Sequence, residues 1–216
     1  MSDVFRMGLL DGALDPAMGD LVDAAWGVAP LAGDGAGHGS AIARCVLEHA
    51  PRARLAVAQI FVDGREATVD AVLDGLHWLI GQRVQLINMS FGMATASPRL
   101  AQACGDAARA GVVLVASAPA RGARVFPAAF GDCIAVTGDA RCAPGEVSWL
   151  DTPAADFGTH ALVEPGRPER GGGASIATAR MSGLIGAMLS AGTPAARVRE
   201  SLRRAAVHVG AERRHA

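Results

Sequence analysis

Val84-Gln85-Leu86-Ile87-Asn88-Met89-Ser90 and Gly111-Val112-Val113-Leu114-Val115-Ala116-Ser117 are two apolar runs separated by a helical pattern over residues 98–110. Short apolar runs without polar alternation fit strands buried on both faces. A helix between two such runs fits the crossover of a right-handed β-α-β unit. The second run is the most continuous β-branched stretch in the chain.

The same alternation extends in both directions from this passage. Toward the N-terminus, residues 4–10 read as a strand ending at Asp11, and residues 40–49 as a helix closed by Pro51. Residues 55–61 read as a strand, and residues 68–82 as an amphipathic helix carrying Val69, Val72, Leu73, Leu76 and Leu79. Toward the C-terminus, residues 133–137 read as a strand and residues 176–189 as a helix of small residues. Alternating strands and helices imply the α/β class with a mostly parallel central sheet flanked by helices. Residues 197–216 are Arg-rich and helical in pattern, which predicts a solvated cap that frays. With no repeat, linker or second domain visible, residues 1–216 read as one compact domain.

Composition narrows the function classes. Half of the 216 residues are hydrophobic, enough for a sizeable core. A formal net charge of -1 supplies no field that would select nucleic acid or an anionic membrane, so neither partner is expected. The start of the chain lacks a secretory pattern, and no apolar run reaches the roughly 18 residues of a membrane span. A cytoplasmic location is expected. Cys45, Cys104, Cys133 and Cys142 are widely spaced without a C-x-x-C pair, which predicts free thiols and no metal site.

Three glycine-marked turns carry the chemistry: Leu9-Leu10-Asp11-Gly12, Gly37-His38-Gly39-Ser40 and Gly173-Ala174-Ser175-Ile176-Ala177. An acid, an imidazole and a hydroxyl at turns beside apolar runs are the parts of an activated serine nucleophile. In parallel sheets the reactive edge lies at the carboxyl ends of the strands, where Asp11 falls. A phosphate cradle at residues 33–39 or 171–173 is disfavoured: neither segment has G-x-G-x-x-G spacing, and all 20 basic residues are Arg, so there is no Walker Lys. An α/β-hydrolase is disfavoured because the Ser175 segment lacks the second glycine of G-x-S-x-G.

In this order the segments resemble the subtilisin-like serine proteases, from about Val4 to about Leu189. Ile87-Asn88-Met89-Ser90-Phe91-Gly92 resembles the family's substrate-binding strand, residues 111–117 the strand leading to its oxyanion hole, and Phe126-Pro127-Ala128-Ala129 the turn that follows. The resemblance implies a three-layer subtilisin-like fold and a serine endopeptidase without cofactor. Ser175 would be the nucleophile, His38 the general base and acid, and Asp11 the residue that orients His38. Ser90, Phe91, Gly92, Met93, Ser117 and Arg121 would line the substrate cleft, with Ser90-Phe91-Gly92 pairing to substrate backbone. Arg121 and Arg124 fall where the family shapes its specificity pocket and would favour an acidic or carbonyl-rich substrate segment; an exposed loop with solvated arginines is the competing reading.

The departures shape the expectation further. Ala120 stands where the family places its oxyanion Asn, Ala174 replaces the Thr before the nucleophile, and Asn88 is the only Asn in the chain. Loss of one such donor costs a subtilisin about 10² to 10³ in rate. The Ser175 N–H remains in the oxyanion region, and Ser117, Arg121 or Arg124 are the candidates for a substitute donor. Asn88 itself reads as a structural hydrogen-bonding residue. The calcium-holding loop of many subtilisins is missing between the His38 helix and the next strand, and the chain opens on its first strand, so neither calcium nor a propeptide is expected.

These traits are similar to the small subtilisin-like maturation proteases of quinohemoprotein amine dehydrogenase biogenesis. That resemblance implies a peptide or protein precursor as partner, namely the small subunit of quinohemoprotein amine dehydrogenase, cleaved at its leader peptide. The alternative is a catalytically inactive subtilisin-like scaffold that binds peptide.

Overall fold

The apolar runs form strands in the computed structural model, which describes residues 5–27, 35–61 and 66–212. Val4, the start of the glycine-rich segment before His38, and the last four residues, His215 among them, lie outside the described residues. In chain order the strands are β1 (Arg6–Asp11), β2 (Val22–Gly27), β3 (Arg54–Gln59), β4 (Leu86–Met89), β5 (Val113–Ser117), β6 (Cys133–Gly138), β7 (Val147–Trp149), β8 (Phe157–Thr159) and β9 (His208–Val209). The α-helices are α1 (Gly35–Leu47), α2 (Val69–Gly81), α3 (Pro98–Arg109), α4 (Ala174–Ser190) and α5 (Val198–Ala205).

One sheet carries these strands in the order β2-β3-β1-β4-β5-β6-β8-β7-β9. All neighbouring pairs are parallel except β7 with β8. Because side chains alternate across a strand, β1 sends Met7 and Leu9 into the layer of α1, α4 and α5, and Leu10 into the layer of α2 and α3. Ile42, Val46, Ile185 and Leu202 fill the first layer, and Leu76, Leu79 and Leu100 the second. Each is fully buried, worth about 1.5–3 kcal/mol of transfer free energy. The arrangement is the expected α/β three-layer fold.

Close helix approach has a specific cause. A Cβ on Gly75 of α2 would lie 2.6 Å from Leu10 Cδ1 and 3.0 Å from Ile60 Cγ2, so only glycine lets this helix ride directly on the sheet.

The structure corrects the expectation for the C-terminal segment. Rather than a solvated cap, α5 buries Val198 and Leu202, and β9 pairs with β7 through Ser148↔His208 and Trp149↔Val209. Arg199 donates to the carbonyls of Gly131 and Cys133 at 3.1 and 2.5 Å and to Asp156 at 2.8 Å, while Arg203 stacks over Trp149 at 4.1 Å. The arginines therefore fasten the segment to the sheet edge. β2 and the short β7–β9 group were also absent from the sequence reading. No helix among the described residues is long and apolar enough to cross a membrane. Cys45, Cys104, Cys133 and Cys142 are free and buried.

Candidate active site

Asp11 closes β1 with its side chain fully buried. Its Oδ1 accepts the Gly12 N–H at 2.7 Å and lies 2.9 Å from His38 Nδ1, while the buried Oδ2 has no hydrogen-bond partner among the described residues. His38 stands in the first turn of α1, which begins at Gly35, five residues before the predicted start. Gly39 lets that turn press onto the loop after β1: a Cβ there would fall 2.6 Å from the Ala13 carbonyl oxygen and 2.8 Å from that of Gly12. The Ser40 hydroxyl accepts the Asp15 N–H at 2.8 Å and ties the same two segments together. The hydrogen bond that His38 donates to Asp11 raises the His38 pKa above the ordinary histidine value, overcoming the opposing effect of burial.

The sheet register brings the hydroxyl to the same edge. β1 and β4 are neighbours with Leu9 opposite Asn88, so the carboxyl ends at Asp11 and Ser90 lie side by side. Ser175, in the first turn of α4, donates its hydroxyl to the Ser90 carbonyl at 2.8 Å and not to His38. Gly173 precedes it with φ of +130°, a conformation that favours glycine, and its N–H is bound to the Ala161 carbonyl at 2.8 Å. No side chain caps α4, so its first-turn N–H groups and the positive end of its dipole are available to an anion.

Asn88 is fully buried, and both ends of its amide are engaged. Its Nδ2 donates to Ser90 Oγ at 2.9 Å, and its Oδ1 accepts from Ser182 Oγ at 3.0 Å. Ser90 Oγ in turn donates to the Ser175 carbonyl at 3.0 Å. The structural reading of Asn88 holds. Ser182 was not singled out in the sequence, although its spacing from Ser175 puts the two on one helix face.

The predicted cleft residues divide into three groups. Phe91 packs edge-on against Phe61 at 6.2 Å, and with Met93 and Gly92 these rings wall a cavity of about 350 Å³ that Glu66 and Val69 also line. Met93 exchanges two backbone hydrogen bonds with Phe126, at 2.7 and 2.9 Å. Ser117 is buried at the end of β5, whereas Ala120 and Arg121 sit in the exposed turn beyond it. Arg121 lines a second cavity, of about 300 Å³, together with Thr137, Asp139 and Thr152, so it shares its surroundings with an acid. The Arg124 Nη2 donates to the Ala129 carbonyl at 2.8 Å. Ala174 is half-buried at the start of α4. Among the described residues no group of three or more His, Cys, Asp or Glu is arranged to hold a metal ion.

The subtilase family model matches residues 27–214, a stretch that contains both His38 and Ser175. The chain belongs to the subtilase family. Two curated subtilases resemble it over part of their length. Subtilisin BL of Lederbergia lenta is 34% identical over 119 residues, covering 50% of this chain and 44% of that protein. The subtilisin-like protease het-Q2 of Podospora anserina is 33% identical over 135 residues, covering 58% of this chain and 35% of that protein. The chain thus spans less than half the length of these curated relatives. Among solved subtilase-like structures, a mutant of the protease domain of PatA superposes with a TM-score of 0.72 at 22% identity, covering 97% of this chain and 94% of that one. A lanthipeptide protease superposes with a TM-score of 0.73 at 18% identity, covering 94% and 80%. The prenylagaramide maturation protease PagA gives 0.68 at 18%, covering 92% and 82%. At these identities the superpositions establish the shared fold.

Proposed function

We propose that this subtilase is a serine endopeptidase that cleaves a peptide or protein precursor during maturation. The observation that carries this reading is the 2.9 Å contact between buried Asp11 and His38 Nδ1, at the sheet edge where Ser175 stands. Asp11 holds the His38 tautomer with Nδ1 protonated, leaving Nε2 as the base. Ser175 Oγ leaves the Ser90 carbonyl, passes its proton to His38 Nε2 and attacks the scissile carbonyl; His38 returns the proton to the leaving amine. The Ser175 N–H and the amino end of α4 stabilise the developing oxyanion. Asn88 is not free to help, because both ends of its amide are hydrogen-bonded elsewhere, whereas Arg124 has one Nη2 hydrogen on the Ala129 carbonyl and further N–H donors beyond it. Ser117, Arg121 and Arg124 are the remaining side-chain donors from the sequence, and turnover is accordingly slow.

Support for a precursor substrate comes from similarity of fold to the prenylagaramide maturation protease and the lanthipeptide protease. The more specific partner is the small subunit of quinohemoprotein amine dehydrogenase, cleaved at its leader in the cytoplasm by a single-domain enzyme. The test is incubation of that precursor with the wild type and with Ser175→Ala, followed by mass spectrometry. Cleavage by the wild type alone supports the assignment, and an intact precursor in both reactions removes that partner. The second reading, an inactive peptide-binding scaffold, is favoured by the Ser175 hydroxyl resting on Ser90 rather than on His38. Fluorophosphonate labelling of the wild type but not of Ser175→Ala rejects it.

A further inference from the structure

We infer that Asn88 and Ser182 are positioning residues for the Ser175 nucleophile, acting through Ser90; this rests on the protease reading above. Ser175 and Ser182 are seven residues apart on α4, about two helical turns, and share one face. Asn88, in β4, and Ser90, just beyond its end, are two residues apart and share one side of the chain. The helix face and the strand side meet in a ladder of two rungs. In the lower rung Ser182 Oγ donates to Asn88 Oδ1 at 3.0 Å. In the upper rung Ser90 Oγ donates to the Ser175 carbonyl at 3.0 Å, and Ser175 Oγ donates to the Ser90 carbonyl at 2.8 Å. Asn88 Nδ2, donating to Ser90 Oγ at 2.9 Å, joins the rungs.

Ser182 and Asn88 are fully buried and Ser90 is 3% exposed, in the layer between α4 and the sheet, which also buries Thr178. Small residues of α4, Ala177, Ala179 and Gly183, stand among the larger Ile176, Arg180, Met181 and Ile185. Apolar contacts alone tolerate small rotations, whereas the hydrogen-bonded ladder does not, because a shift of one residue leaves its buried members without partners. The direction of the bonds matters as well. The Asn88 amide hydrogen occupies a lone pair of Ser90 Oγ and so directs the Ser90 hydroxyl proton to the Ser175 carbonyl. A carboxylate in place of the amide would accept that proton instead and release the nucleophile's backbone.

The test compares the full-length wild type with Asn88→Asp and Ser182→Ala. Active sites are counted by fluorophosphonate titration, kcat and KM are measured on one peptide substrate, and the downfield proton NMR signal of His38 Nδ1–H is recorded. The expected result is a roughly 10- to 10²-fold fall in kcat per titrated site with KM within about twofold, while the His38 signal stays in place. An unchanged kcat per titrated site, with only the melting temperature lowered, overturns the inference. Ser182→Ala removes a single hydroxyl and keeps the test decisive should Asn88→Asp not fold. A wild type that fails to react with fluorophosphonate overturns the protease reading itself, a different result from wild-type reactivity with unaltered variants.

Discussion

Arg180→Met should separate two halves of what looks like a single ion pair. Arg180 is 1% exposed on α4, and its guanidinium pairs with Glu48 just beyond α1. Its Nη2 also donates to the carbonyls of Leu162, at 3.0 Å, and Val163, at 2.9 Å. Those carbonyls belong to the hairpin that delivers Gly173, through the Leu162↔Gly172 bridge and the bond from Gly173 N–H to Ala161. Hydrogen bonds from a charged donor are worth about 1.5–3 kcal/mol each. Residues 162 and 163 are only half-buried and recover some hydration, so the lower end applies and the two bonds sum to about 3 kcal/mol. Methionine keeps much of the apolar volume. At about 2–4 °C per kcal/mol for a chain of this size, the melting temperature should fall by about 6–12 °C. Glu48→Gln should cost less, because the glutamine carbonyl still accepts from the buried Arg180 guanidinium and the position is 45% exposed to water. Calorimetry on both variants checks the asymmetry. Equal losses, or less than about 1 kcal/mol for Arg180→Met, would refute the reasoning that the carbonyl staple outweighs the ion pair.

Protonated His38 cannot accept the Ser175 proton, so kcat/KM should rise with pH through a value above 6.5, the direction that the Asp11 hydrogen bond dictates. Asp11→Asn should move that limb to lower pH and reduce kcat by about 10⁴-fold, read from a pH–rate profile. The same raised pKa means that the Asp11–His38 contact stabilises the fold fully below about pH 6.5 and less as pH climbs through the folded-state value, which melts taken across that window will show. Gly39→Ala should cost about 1–3 kcal/mol and lower kcat, since its Cβ meets backbone oxygens that cannot move aside; Gly37→Ala, with open space around it, should be neutral or stabilising by denaturant titration. Burial pushes the Cys45 and Cys142 thiols up to about 11, so iodoacetamide at pH 8 should leave both unmodified until the protein is unfolded, as mass spectrometry will record.

What could be read from the sequence followed the physics of burial. Strands β1, β3, β4, β5 and β6 are covered on both faces, so their interiors are mostly apolar and the runs stand out. β2 escaped because it is an edge: Val22, Ala24 and Trp26 are only half-buried, and Asp23 is held by Arg6 and Arg54, a pattern that looks like loop. β7, β8 and β9 are two or three residues long, too short for any period to register. The acid, imidazole and hydroxyl were visible because each sits near a glycine; Gly39 is needed where its turn presses on backbone oxygens, and Gly173 for its positive φ. Ser182 was invisible for the opposite reason. A serine among alanines and glycines in a helix carries no pattern of its own, and only the strand opposite reveals what it binds.

The order of the strands also sets a schedule for synthesis. Asp11 and His38 are contributed by the first quarter of the chain, and Ser175 follows His38 by 137 residues (175 minus 38). At about 5–20 residues per second, a ribosome needs roughly 7–30 s between His38 and Ser175, the base and nucleophile of the proposed mechanism. Throughout that interval the β1–β3 third of the sheet can exist without any hydrolytic capacity. A nascent chain therefore cannot cut itself or its neighbours until β4, β5 and β6 are in place to receive α4.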